Sequence, residues 1–105
     1  MSEKNIRRAI VAYLNGLPNC YARSMHGGAY SGGLLDIFGS YKGRTLVIEC
    51  KLPGNLMTRL QEVELAKWKE AGAIVGCVHS VEEARSLIKI HAPQAMNLNG
   101  DIIDV

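Results

Sequence analysis

The stretch Leu34–Lys51, LLDIFGSYKGRTLVIECK, decides how this 105-residue chain folds. Two runs with strand-like alternation, LLDIFGS and RTLVIECK, meet through Tyr41-Lys42-Gly43. A lysine–glycine pair between two such runs predicts a β-hairpin. If Lys42-Gly43 is a two-residue turn, Tyr41 opposes Arg44, and counting back sets Asp36 opposite Glu49. A four-residue loop from Tyr41 to Arg44 keeps that pairing, whereas a three-residue loop shifts it by one and sends Asp36 to the other face. Within the second run, residues two apart share a face, so Glu49 and Lys51 project together and Cys50 points away. An even loop therefore gathers Asp36, Glu49 and Lys51, with opposed Cβ atoms roughly 5 Å apart. Glu49 and Lys51 by themselves fit a surface salt bridge as readily as half of a metal site. Two carboxylates that close repel unless a cation joins them. Mg²⁺ suits such a pair, because it takes one or two protein carboxylates and completes its octahedron with water and phosphate oxygens.

Outward from the hairpin, the spacing predicts further elements. Ser2 caps a helix from Glu3 whose stripe is Ile6, Ile10, Tyr13 and Leu14, ended by Gly16 and Pro18. Glu3 lies on that stripe, while Lys4, Arg7 and Arg8 lie mainly off it and read as solvated charges. Asn19–Met25 reads as a strand. It is followed by the glycine-rich HGGAYSGG (residues 26–33), which lacks the lysine and the strand–loop–helix setting of a phosphate-binding loop. A helix from about Thr58 to Ala71, with Gly72 as its cap, carries the stripe Met57, Gln61, Leu65 and Trp68, so Gln61 faces inward near its start. Ala73–His79 is a short apolar strand, and Ser80 with Glu83 has capping-box spacing for a last helix. The tail from Pro93 has a candidate hairpin turn at Asn99-Gly100. The order is α-β-β-β-α-β-α, a mixed sheet flanked by helices in the α/β (α+β) class. One domain over residues 1–92 and a tail over 93–105 are expected.

Composition narrows the function classes. With 48% hydrophobic and 21% charged residues, the chain is an ordinary globular one. No apolar run is long enough to span a bilayer, and the charged start MSEKNIRR is not a secretory signal, so cytoplasmic residence is the default. Cys20, Cys50 and Cys77 are too widely spaced for a usual zinc site, and Cys50 and Cys77 read as reduced, buried thiols. The net charge is only +2, but with Glu3, Asp36 and Glu49 committed to a cation, 12 basic side chains face 7 remaining acidic ones, an excess that nucleic acid would meet. Lys42, Arg44 and Arg59 are the preferred contacts to a nucleic-acid backbone, with His26 a further candidate for a phosphate. His79 reads as a hydrogen-bonded structural histidine and Trp68 as core.

Asp36, then Glu49-Cys50-Lys51, then Gln61, inside an α-β-β-β-α-β core, resembles the PD-(D/E)XK nuclease superfamily with its restriction-endonuclease-like fold. More closely, the set is similar to the VRR-NUC branch, whose small stand-alone members are found in phages. The resemblance spans roughly Glu3 to Glu83. It implies a phosphodiester hydrolase in which Asp36, Glu49 and the Cys50 backbone carbonyl bind Mg²⁺ or Mn²⁺. It further implies that Lys51 positions the attacking water, that Gln61 supports the site, and that Glu3 matches the acid of the family's first helix. DNA with flaps or four-way junctions is the implied substrate, cut by a homodimer that resembles a Holliday junction resolvase. A phage-encoded member would work in the bacterial host cytoplasm. The family's usual proline before the aspartate is absent here, where the chain reads Gly33-Leu34-Leu35-Asp36. The competing expectations are a non-catalytic nucleic-acid-binding domain that keeps the fold, and a small structural protein.

Overall fold

In the computed structural model, helix α1 (Glu3–Asn15) opens the chain and strands β1 (Cys20–Ser24), β2 (Ile37–Tyr41) and β3 (Arg44–Cys50) follow. Helix α2 (Arg59–Glu70), strand β4 (Ile74–Val78) and helix α3 (Val81–His91) complete the core, and two-residue strands β5 (Ala95–Met96) and β6 (Ile102–Ile103) end it. The structure describes residues 2–25, 35–91, 95–96 and 102–103. The expected element order holds throughout the core. No helix among the described residues is long and apolar enough to cross a membrane.

The sheet order is β1-β2-β3-β4, with the first two pairs antiparallel and β3–β4 parallel. Lys42 (φ 49°) and Gly43 (φ 85°) both occupy the left-handed region, which makes the β2–β3 connection a two-residue turn of the type that matches strand twist. Tyr41 accordingly opposes Arg44 and Ile37 opposes Ile48. The parallel β3–β4 pair is possible because α2 crosses over one face between them.

Each face of the sheet has its own core. Leu46, Ile48 and Cys50 of β3 join Ala22, Ile37, Tyr41, Ile74 and Val78 under α1 and α3, which contribute Ile6, Ile10, Leu14, Ala84 and Ile88. Val47 faces the other way, with Leu35, Leu65 and Ala73 and the partly buried Phe38, Met57, Trp68 and Val75 beneath α2. Trp68 packs edge-on against Phe38, with ring centroids 5.5 Å apart, so it is core as expected. α1 begins at a Ser2 cap whose side chain accepts from the Asn5 N–H, and α3 at Ser80, whose Oγ accepts from the Glu83 N–H at 3.1 Å.

β1 and β4 are the two edges. At the middle of β1, Asn15 closes the edge: its Oδ1 accepts from the Ala22 N–H at 2.8 Å and its Nδ2 donates to the Ala22 carbonyl at 3.0 Å. The side chain thus stands in for a neighbouring strand. Across the sheet from Ala22 is Gly39, where a Cβ would come within 2.3 Å of the Tyr21 carbonyl and 2.8 Å of Ala22 Cα. Those are backbone atoms and cannot step aside. Gly39→Ala is therefore expected to destabilise the fold by about 1–3 kcal/mol, read as a lower urea midpoint.

In the tail, β5 and β6 pair antiparallel with Ala95 opposite Ile103 and Met96 opposite Ile102, a register centred on Asn99. The turn itself, expected at Asn99-Gly100, lies outside the described residues.

Candidate active site

The site forms where β3 runs out. Glu49 is its penultimate residue and projects to the α2 face, yet it is only 1% exposed. A carboxylate so buried needs partners, and Glu49 has three. Its Oε1 accepts from the Asp36 N–H at 3.2 Å, and its Oε2 accepts from Gln61 Nε2 at 2.8 Å and faces Lys51 Nζ at 3.3 Å. The i, i+2 relation of Glu49 and Lys51 is therefore a mostly covered ion pair, with Lys51 14% exposed.

Asp36 lies one residue before β2 instead of within it, at a bend. The register still sets it beside Glu49, and its side chain takes over from the backbone ladder there. Asp36 Oδ2 accepts from the Cys50 N–H at 3.0 Å, and the Asp36 carbonyl accepts from the Met25 N–H at 2.7 Å. These bonds lock the carboxylate to the end of β3.

Gln61 is aimed by a capping box. Thr58 caps α2 by accepting from the Gln61 N–H at 3.2 Å, and Gln61 Oε1 accepts in return from the Thr58 N–H at 3.0 Å. With its oxygen committed, the amide can only present Nε2 to Glu49. The signature was present as Thr58-x-x-Gln61, although the inward stripe alone did not indicate which end of the amide would face the site.

Burial, and after it the charge of Asp36, raises the Glu49 carboxyl from its ordinary 4.5 to about 7, while Lys51 pulls it back. The folded chain thus holds this proton more tightly than the unfolded one. The associated stability is fully present below about pH 4.5 and is lost as pH rises through about 7. Without divalent metal, the urea midpoint of the wild type should fall between about pH 5 and pH 8, and Glu49→Gln should remove most of that fall.

The donor set suits a hard cation. Asp36 and Glu49 offer oxygens only, Lys51 offsets just part of their repulsion, and Asp36 Oδ1 accepts no hydrogen bond from a described residue. Cys50 gives its N–H to Asp36 and its side chain to the opposite core, where burial raises the thiol pKa strongly. Cys77 is half-buried instead of buried, and all three cysteines are free.

Other expected residues are placed elsewhere. α1 packs on the Cys50 face, opposite α2, and among the described residues no hydrogen bond or ion pair joins Glu3 to Asp36 or Glu49. Among the described residues no group of three or more His, Cys, Asp or Glu side chains is arranged to hold a metal. Arg7, expected in solvent, is instead buried at 9% exposure, with its charge close enough to Cys50 to favour the thiolate. Lys42 and Arg44 do not flank the site. They sit at the turn, the far end of β2 and β3, roughly 17–20 Å away along the strands. There Arg44 donates to the Gly72 carbonyl at 3.1 Å and Lys42 lies over the Tyr41 ring. The hairpin that pairs Asp36 with Glu49 necessarily puts its turn at the opposite end. Arg59 does lie near, two residues before Gln61, exposed and 3.5 Å from Glu62. His26 is outside the described residues. His79 is hydrogen-bonded as expected, with Nδ1 3.0 Å from Glu83 Oε1 and Nε2 3.3 Å from the Asn55 carbonyl. Both partners accept, chiefly Glu83, and the imidazole pKa is raised.

A solved structure of a VRR_NUC domain superposes on the chain with a TM-score of 0.67 at 21% sequence identity, covering 83% of this chain and 94% of that one. The fold is that of a VRR_NUC domain. No family model matches the sequence, and no curated protein does. The resemblance read from Asp36, Glu49-Cys50-Lys51 and Gln61 is matched in the architecture around them. Within the VRR_NUC fold the side chains of Asp36, Glu49, Lys51 and Gln61 meet at the carboxyl end of β3, where α2 begins.

Proposed function

We propose that the chain is a divalent-metal-dependent endonuclease of the VRR-NUC family that hydrolyses phosphodiester bonds in DNA. The observation that carries this reading is the buried Glu49 carboxylate, held beside Asp36 while bonded to both Lys51 and Gln61. A structural ion pair needs neither a second carboxylate nor an amide aimed by its own capping box.

In this reading Asp36 and Glu49, with the Cys50 carbonyl, hold Mg²⁺ or Mn²⁺. The bound cation would offset negative charge on the scissile phosphate. Gln61 fixes the rotamer of Glu49. Lys51, held at 3.3 Å from Glu49, keeps its remaining N–H groups for the attacking water and for the phosphoryl oxygen that gains charge. The water oxygen bonds to phosphorus and gives up a proton to solvent as the P–O bond to the leaving strand breaks, and the leaving oxygen takes a proton from solvent. Branched DNA, a flap or a four-way junction, is the proposed substrate. A symmetric dimer would bring two such sites to two strands, inside a bacterial host cytoplasm.

The test is a labelled four-way junction, a flap and a plain duplex, each incubated with Mg²⁺ or Mn²⁺. Metal-dependent cutting that Asp36→Ala abolishes while binding persists is the expected result. Binding without cutting in every metal would assign the fold to a non-catalytic DNA-binding domain.

A further inference from the structure

The α2 face of the sheet is only partly covered. α2 packs over β3, β4 and Phe38 of β2, but among the described residues no helix covers the outer lane, β1, on that side. Opposed residues share a face, so Tyr21, Arg23 and Met25, beside Ser40, Phe38 and Asp36, project on the same side as Asp36 and Glu49. Ala22 between them is buried on the other side. Tyr21 is 63% exposed and Met25 53%, and Arg23 is exposed with no described carboxylate within ion-pair distance. Small, exposed Ser40 beside Tyr21 leaves room around the ring.

We propose that Tyr21, Arg23 and Met25 form a track for an unpaired nucleic-acid strand that leads into the Asp36–Glu49 site. The proposal rests on the nuclease reading of that site. The three side chains stand about 6.7 Å apart along β1 and end beside Asp36, so the track and the carboxylates are continuous. Tyr21 offers a ring face that any unstacked base can cover, and Arg23 offers a positive group to the backbone between bases. A base inside a duplex has both faces occupied by its neighbours, so this lane selects substrates that present a single-stranded segment. A polypeptide strand is the weaker candidate, because Asn15 already occupies the middle of the β1 edge to which such a strand would pair.

The test is fluorescence anisotropy in EDTA, using a labelled 15-nucleotide thymidine strand and a blunt duplex, with sedimentation on the same preparations. Tyr21→Ala is expected to weaken strand binding roughly tenfold with little change for the duplex, and Tyr21→Phe to restore it. Arg23→Ala should reduce the salt slope for the strand by about 0.7. Wild-type strand binding that is undetectable, or unchanged in both alanine variants, overturns the track. So does a self-association that Tyr21→Ala dissolves, which would give this face to a second copy. Metal-dependent cutting by the wild type, measured in parallel, reports on the nuclease reading alone. Cutting without a Tyr21 effect removes only the track, and a Tyr21 effect without cutting removes only the nuclease.

Discussion

Lys51→Ala is expected to lower the single-turnover rate of DNA cleavage by about 10²–10³-fold while leaving fold and DNA affinity largely in place. Among the described residues the ammonium is the one cation bonded to the carboxylate pair, 3.3 Å from Glu49 Oε2, and it is mostly withdrawn from water. In such surroundings its charge acts on the reacting phosphate with little screening. Lys51→Arg should not restore the rate, because a planar guanidinium cannot reproduce a compact point charge at that distance. Stability changes less than rate, since Glu49 keeps the Asp36 N–H and Gln61 Nε2 when the lysine is gone. Cutting at the wild-type rate by Lys51→Ala would reduce this residue to a salt-bridge partner.

Glu49→Ala is the second large effect, and it falls on folding as well as on activity. Its removal strands the Asp36 N–H, the Gln61 amide and a Lys51 ammonium that are already shielded from water. Breaking a buried pair by deleting one partner costs about 3–5 kcal/mol, a large share of the roughly 5–15 kcal/mol available to a small domain. Relief of the repulsion with Asp36 offsets part of that cost. Glu49→Gln separates the two contributions. It keeps a polar group in the cavity and removes the charge, so urea unfolding at about pH 5 should be close to wild type, while cutting is lost as fully as in Glu49→Ala. Equal destabilisation by both variants at that pH would mean that an amide cannot replace the hydrogen bonds that the carboxyl makes in this corner.

The sequence carried the hairpin because its information is local. Lys42-Gly43 allowed a two-residue turn, which the two left-handed residues of the structure establish; the turn fixes the register, and the register puts Asp36 beside Glu49. Gln61 was legible for the same reason, through one helical stripe. Arg7 was not. Its placement depends on which face of the sheet α1 covers, and a helical stripe does not specify that. Once α1 settles on the Cys50 face, Arg7 is drawn into cover near Cys50. The charge of Lys42 and Arg44 says nothing of their place at the turn end of the hairpin, where Arg44 serves the α2 terminus. The bend at Asp36, with its side chain replacing a strand partner, is a detail that alternation cannot encode.

Isothermal calorimetry of Mn²⁺ binding, on wild type and Asp36→Asn with and without a DNA flap, tests the central claim most directly. Saturable uptake by the wild type, lost in Asp36→Asn while circular dichroism stays native, is the predicted result. No uptake by the folded wild type in either condition, or equal uptake by the variant, would contradict it.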